Sequence, residues 1–196
     1  TTNNNLWVCS YYSGLFKLTE YNAGEFRGLT NYAKGKGFST NYFKSLFFDR
    51  EENLWVGTYG TGLGLLAEQS FAFLNFENDL NDNNILAVAS NDSLVWLGGE
   101  NGLVQINILN PNDKKVFGTA DGLPSDKITA LYYLDGGLWV GTNASGIYEL
   151  GDNGRFKVFF KANNSLGNSI NNLHADKTNL YAATKGGIRI FELEGD

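Results

Sequence analysis

Two stretches of the chain are near-copies of one another: ENLWVGTYGTGLGLL at Glu52–Leu66 and GGLWVGTNASGIYEL at Gly136–Leu150. Aligned on the tryptophan, three further copies appear: NLWVCSYYSGLFKL at Asn5–Leu18, LVWLGGENGLVQI at Leu94–Ile106 and NLYAATKGGIRIF at Asn179–Phe191. The aligned aromatics are Trp7, Trp55, Trp96, Trp139 and Tyr181, separated by 48, 41, 43 and 42 residues. A glycine followed by Leu or Ile comes six or seven residues after each aromatic, at Gly14, Gly62, Gly102, Gly146 and Gly187. A second pattern keeps the same step: an Asx, one variable residue, an Ile or Phe, two more residues and a Leu or Val. It begins at Asn41, Asn83, Asp126 and Asn168, spaced 42, 43 and 42 residues apart. Two independent patterns in one period define a repeat protein, and the repeat has to be found before secondary structure can be assigned.

Each period reads as four short strands. The first follows the Asx and ends in a turn, and the second is the Leu-Trp-Val segment, rich in β-branched and aromatic residues. The third follows the Gly-Leu pair, and the fourth is a looser aromatic segment such as RFKVFF. Turns such as Asp152-Asn153-Gly154 join the third and fourth, since Asn-Gly pairs supply the positive φ of a hairpin. Four antiparallel strands every 40–45 residues or so is the signature of a β-propeller blade. The expected fold is therefore all-β, a propeller or propeller fragment of about five blades. The repeats fall near residues 1–35, 36–78, 79–119, 120–162 and 163–196. In this reading the tryptophans plug the space between blades, Gly57, Gly98 and Gly141 let sheets approach, and Gly62 and Gly146 permit positive-φ turns. The recurring Asx residues are expected to bond backbone amides in Asx turns that start each inner strand.

Composition agrees and removes several functions. With 24 glycines, 2 prolines, 14% aromatic and 18% charged residues, the 196-residue chain suits short strands joined by glycine turns. A net charge of -6 and the absence of any basic run argue against a nucleic-acid partner. No stretch approaches the roughly 18 apolar residues of a membrane span, so direct membrane insertion is not expected. Cys9, the single cysteine, forms no internal disulfide and no cysteine-based zinc site. No secretory leader and no Met occur, so a mature or excised segment is expected. No cofactor motif appears: there is no Gly-x-Ser-x-Gly elbow, P-loop or His-Glu-x-x-His. Asp79–Asn84 opens like a calcium loop but lacks its central glycine and its closing Glu, and no metal is expected. His174, the only histidine, reads as a packed or hydrogen-bonded imidazole on an inner strand.

GLPSDKITALYYLDGGLWVGTNASGIYEL at Gly122–Leu150 closely resembles the two-component regulator propeller repeat, and the resemblance extends over nearly the whole chain. Weaker copies depart from it, with Cys9 and Ala183 in place of the motif glycine, Gly99 in place of Thr and Tyr181 in place of Trp. The resemblance implies an extracytoplasmic, periplasmic sensor region of a bacterial hybrid two-component system that recognises a carbohydrate fragment. Its partners would be a small-molecule or oligosaccharide ligand and the rest of a larger receptor chain. The repeats also resemble those of cell-surface and secretion-assembly propellers. They are similar to those of streptogramin lyases as well, which use histidines and a metal on one face where this chain offers only His174.

The chain opens on a second strand and closes on a third. An arc of a larger propeller, or an arc completed by another chain such as a second copy, is therefore expected over a closed five-bladed ring. Exposed terminal blades favour association. The loops after the second strands and before the first strands share one face, and loops on a rigid scaffold commonly carry function. The candidate ligand residues there are Tyr11, Tyr12, Tyr42, Tyr59, Glu100, Asn101, Asn143 and Lys185. Tyrosines beside amide and charged groups suit a sugar, which offers an apolar ring face and a rim of hydroxyls.

Overall fold

The computed structural model describes residues 5–22, 25–35, 38–49, 52–67, 70–74, 79, 83–124, 127–134, 136–151 and 153–193. Among these, eighteen strands form five antiparallel sheets. The first sheet is β1 (Leu6–Ser10), β2 (Gly14–Asn22) and β3 (Glu25–Tyr32). The second is β4 (Phe43–Phe48), β5 (Leu54–Thr58), β6 (Leu63–Ala67) and β7 (Ser70–Leu74). The third is β8 (Ile85–Ser90), β9 (Leu94–Gly99), β10 (Gly102–Asn107) and β11 (Lys114–Phe117). The fourth is β12 (Ile128–Leu134), β13 (Gly137–Thr142), β14 (Ile147–Leu150) and β15 (Phe156–Phe160). The fifth is β16 (Ile170–Ala175), β17 (Asn179–Thr184) and β18 (Gly187–Glu192). Strands within each sheet pair in chain order, as hairpins require. The molecule is thus a propeller array whose outer two blades hold three strands each.

Consecutive sheets pack through their first strands, β4 on β8, β8 on β12 and β12 on β16, while β1 packs on β4. Among the described residues, no strand of the first sheet packs on a strand of the fifth as consecutive sheets do, so the array is open. Burial follows from this arrangement. All of Leu54–Thr58 in β5 is buried, because a sheet covers each of its faces. In contrast β18, in the last sheet, leaves Ile188 and Ile190 exposed.

The seams are built from the motif residues. A methyl group placed on Gly98 would lie 2.5 Å from Ile128 Cγ2, and one on Gly141 would lie 2.6 Å from Ile170 Cγ2. At Gly57 it would meet Ser45 Oγ and lie 3.0 Å from Ile85 Cγ2. The glycine two residues after each of Trp55, Trp96 and Trp139 is therefore the socket for the Ile that opens the next sheet. In β1 the socket position is Cys9, which packs against the cluster holding Phe43. Trp55 packs with Ile85, Val95, Leu97, Val104 and Ile106 of the third sheet, and Trp139 with Ile170, Leu173 and Ala175 of the fifth. Burying one such indole removes roughly 150–250 Å² from water, worth up to about 4–6 kcal/mol by area.

Polar details repeat as well. Thr58, Thr142 and Thr184 are buried, and their hydroxyls donate to the carbonyls of Gly62 (2.6 Å), Gly146 (2.9 Å) and Gly187 (2.7 Å). Each bond closes a hairpin turn whose glycine has positive φ, at 81°, 90° and 114° respectively. β4, β8, β12 and β16 each carry a register shift after their first residue, a β-bulge that twists the strand locally.

The Asx expectation needs correction. Asn168 Oδ1 accepts from the amide of Ala162 at 2.6 Å, and its Nδ2 donates to the Ala162 carbonyl at 3.0 Å. Asn41 Oδ1 accepts from the amide of Lys34 at 2.7 Å. These side chains reach back to the incoming loop instead of forming turns ahead of the strand. Main-chain carbonyls of Asn83 and Asn168 accept from Gly62 and Gly146 of the preceding sheet. Asx turns occur at the other end of the strand, where Asn91 Oδ1 accepts from Ser93 and Leu94. There Asp49 takes the amide of Asn53 at 2.8 Å and the indole N–H of Trp55 at 2.8 Å. Asp126 and Asp152 lie outside the described residues.

The seam makes a quantitative expectation. Gly98→Ala should cost about 1–3 kcal/mol by overpacking, and Ile128→Ala about 2–5 kcal/mol by leaving a cavity. In urea unfolding, the double variant should be less destabilised than the sum by about 1 kcal/mol or more. Additive costs would show that the two residues do not share a socket.

Candidate functional site

The end of the sheets where β1, β5, β9, β13 and β17 finish also receives the loops that enter β4, β8, β12 and β16. Backbone bonds hold these loops side by side: Tyr59 donates to Tyr42, Asn143 to Lys127 and Lys185 to Ser169, at 3.0, 3.0 and 3.1 Å. The candidate residues therefore share one end, but they divide into separate groups.

The four tyrosines come together. The ring of Tyr11 lies 4.7 Å from Tyr12, 5.4 Å from Tyr42 and 6.1 Å from Tyr59, centroid to centroid, and Tyr12 lies 5.9 Å from Tyr42. Edge-to-face geometry predominates, as ring quadrupoles favour. Tyr11 is half-buried at the centre, whereas Tyr12 is 72% exposed and Tyr42 and Tyr59 are also exposed. The Lys44 ammonium sits 4.1 Å from the centroid of Tyr11 as a cation–π contact. Lys44 is the bulged residue of β4, skipped in the pairing between Phe43 and Ser45, so the bulge aims it at the rings. Desolvation pushes the Tyr11 phenol above its usual value of 10.0, and the nearby phenols of Tyr59, Tyr12 and Tyr42, then Glu100, add to the rise.

Glu100 instead pairs with Lys127 at 3.4 Å, across from the third sheet to the loop entering β12. Asn101 is exposed in the turn between β9 and β10, Asn143 is half-buried and Lys185 is exposed. No described contact links Asn101, Asn143 or Lys185 to the tyrosine cluster. Lys44 and Lys127 were not among the sequence candidates. The odd three-residue spacing from Phe43 to Leu46 was the signal for Lys44, because an unbroken strand would put same-face residues two or four apart.

At the opposite end His174 is exposed, with its ring 5.2 Å from Tyr132 and 6.3 Å from Tyr181. It is thus flanked by rings but not enclosed. Tyr181 donates its hydroxyl to Asp176 at 2.8 Å. The amide of Thr178, then Tyr181, the amide of Asn179 and the Thr178 hydroxyl hold the Asp176 carboxyl at about 2. Among the described residues, no group of three or more His, Cys, Asp and Glu side chains is placed to hold a metal ion. No helix there is long and apolar enough to cross a membrane.

Residues 37–60, within one of the repeats read in the sequence, match the family model described as two component regulator propeller. No curated protein matches the chain in sequence. Among solved structures, the extracellular domain of the putative one component system BT4673 from B. thetaiotaomicron is similar. It has 22% identity and a TM-score of 0.76, over 97% of this chain and 26% of that one. The extracellular domain of the putative hybrid two component system BT3049 from the same organism gives 23% identity and a TM-score of 0.72, over 95% and 25%. PorZ, a surface component of the type-IX secretion system of Porphyromonas gingivalis, gives 14% identity and a TM-score of 0.65, over 96% and 31%. The likeness is one of fold, and the chain spans about a quarter of the first two structures.

The cluster predicts a distinct alkaline titration. In absorbance-detected titration of the tyrosines, a component ionising above 10.0 should be lost in Tyr11→Phe, while Tyr181, raised by its bond to Asp176, keeps its own. Loss of an ordinary component near 10.0 in that variant would mean that Tyr11 is not enclosed as described.

Proposed function

We propose that this chain is the extracytoplasmic, ligand-sensing propeller region of a bacterial two-component-type receptor, and that it takes a carbohydrate fragment at the tyrosine cluster. The observation that carries the reading is the cluster itself, four tyrosines with their rings grouped on the loop-bearing end and three of them exposed. Sugar C–H faces stack on such rings while hydroxyls bond phenols at the rim. Tyr11 and Tyr12 come from the first sheet, Tyr42 and Tyr59 from the second, so one ligand would bridge a seam. Bridging favours whichever receptor state holds the two sheets in that relation, which is what sensing requires. The family match and the fold of the two B. thetaiotaomicron domains support a sensor module, and with it a periplasmic location and a non-enzymatic role.

A second reading follows from the fold shared with PorZ. As a structural propeller in a surface or secretion assembly, the chain would bind protein partners through its open end sheets and take no glycan.

A panel of oligosaccharides titrated against the 196-residue chain tests the proposal. Binding should appear for at least one glycan, and Tyr12→Ala and Tyr59→Ala should each weaken it about 2- to 10-fold, the value of one aromatic contact. Absence of binding across the panel, or binding indifferent to both variants, would sink the assignment.

A further inference from the structure

At the end of the sheets away from the tyrosines, a cavity of about 300 Å³ opens between the last residues of β4, β8 and β12. Its origin is the small residue that β8, like β16 with Ala175, carries where β4 and β12 carry an aromatic. The residue paired with the position before each tryptophan is Phe48 in β4, Ser90 in β8 and Tyr133 in β12. Tyr133 uses that position to stack on Trp96 of the preceding sheet, ring centroids 5.1 Å apart. Ser90 fills no such space, so Phe47 of β4 and Tyr133 of β12 flank a gap that Phe48 and Leu134 also line.

The polar groups at this gap are unspent. The hydroxyls of Ser90 and Tyr133 and the Nδ2 of Asn91 have no hydrogen-bond partner among the described residues, although Asn91 Oδ1 is occupied by two backbone amides. Asp49, in the same wall, holds three donors and keeps a lone pair on Oδ1. Among the described residues no cation lines the cavity, and the Asp49 carboxylate disfavours an anion there. The volume lies at the lower end for small-ligand sites, enough for one ring.

We propose that this cavity is a second binding site, separate from the tyrosine cluster, for a neutral cyclic polyol of pyranose size. The ring's apolar face packs on Phe47 and Tyr133, which approach the third sheet from its two sides. Its hydroxyls accept from Ser90, Asn91 and Tyr133, and one donates to Asp49. A hydroxyl does both, whereas a planar aromatic hydrocarbon does neither.

The test is titration of the 196-residue chain with methyl β-D-glucopyranoside, followed by the indole N–H resonances of Trp55, bonded to Asp49, and Trp96, stacked on Tyr133. A saturable shift of these peaks is expected. Ser90→Phe restores the aromatic that the neighbouring strands carry there, so it should fold, and it should weaken binding at least about tenfold. Ser90→Ala keeps the space and should weaken binding a few-fold, and Tyr12→Ala should leave it unchanged. Three results would overturn the proposal: no saturable shift, an undiminished shift in Ser90→Phe, or saturation by phenol but not by the glycoside. Loss of the shift in Tyr12→Ala would assign the binding to the tyrosine cluster instead.

Discussion

Three of the four seams among the described residues hang on the contact between a strand glycine and the isoleucine that opens the next sheet. Gly98 meets Ile128 and Gly141 meets Ile170 so closely that a single added carbon collides, and at Gly57 it would collide with Ser45 while lying 3.0 Å from Ile85. The tryptophan two residues earlier fills the rest of the seam, so one sheet cannot be moved without unseating its neighbour. The two sequence patterns keep one period for this reason: they are the two halves of a repeated joint. Stability in such an array is a sum of sheet terms and nearest-neighbour terms, and the end sheets each lack one neighbour among the described residues.

The joint also places the chemistry. With the first strands fixed by their opening Phe43 or Ile, the bulge one residue later turns Lys44 onto Tyr11 and Thr129 toward the next sheet, where its hydroxyl donates to the Ile170 carbonyl at 2.6 Å. The loops on that end are free to vary because the strands beneath them are not. At the other end, variation at the position before the turn either continues the aromatic packing, as Tyr133 does, or opens a cavity, as Ser90 does.

Sequence alone carried the architecture because the seam needs particular sizes at particular steps. Large Trp, absent Cβ and branched Ile recur visibly, and the three-four-four-four-three strand pattern follows from where the copies start and stop. The tyrosines were legible as loop residues, but their mutual contact was not, since it depends on how far adjacent sheets are rotated. Lys44 escaped because it sits within a strand, and only the odd spacing from Phe43 to Leu46 hinted at the bulge. The Asx role was misread in direction. A side chain such as Asn168 satisfies an incoming loop six residues earlier, and the local propensity of Asn for turns does not say which way it reaches.

The most direct test of the seam account is hydrogen exchange followed by mass spectrometry on the intact chain. Amides of β8, β9, β12 and β13 should be the most protected, with protection falling toward β1–β3 and β16–β18. Equal protection across all five sheets would contradict it, because that is the behaviour of a closed ring opening as one unit.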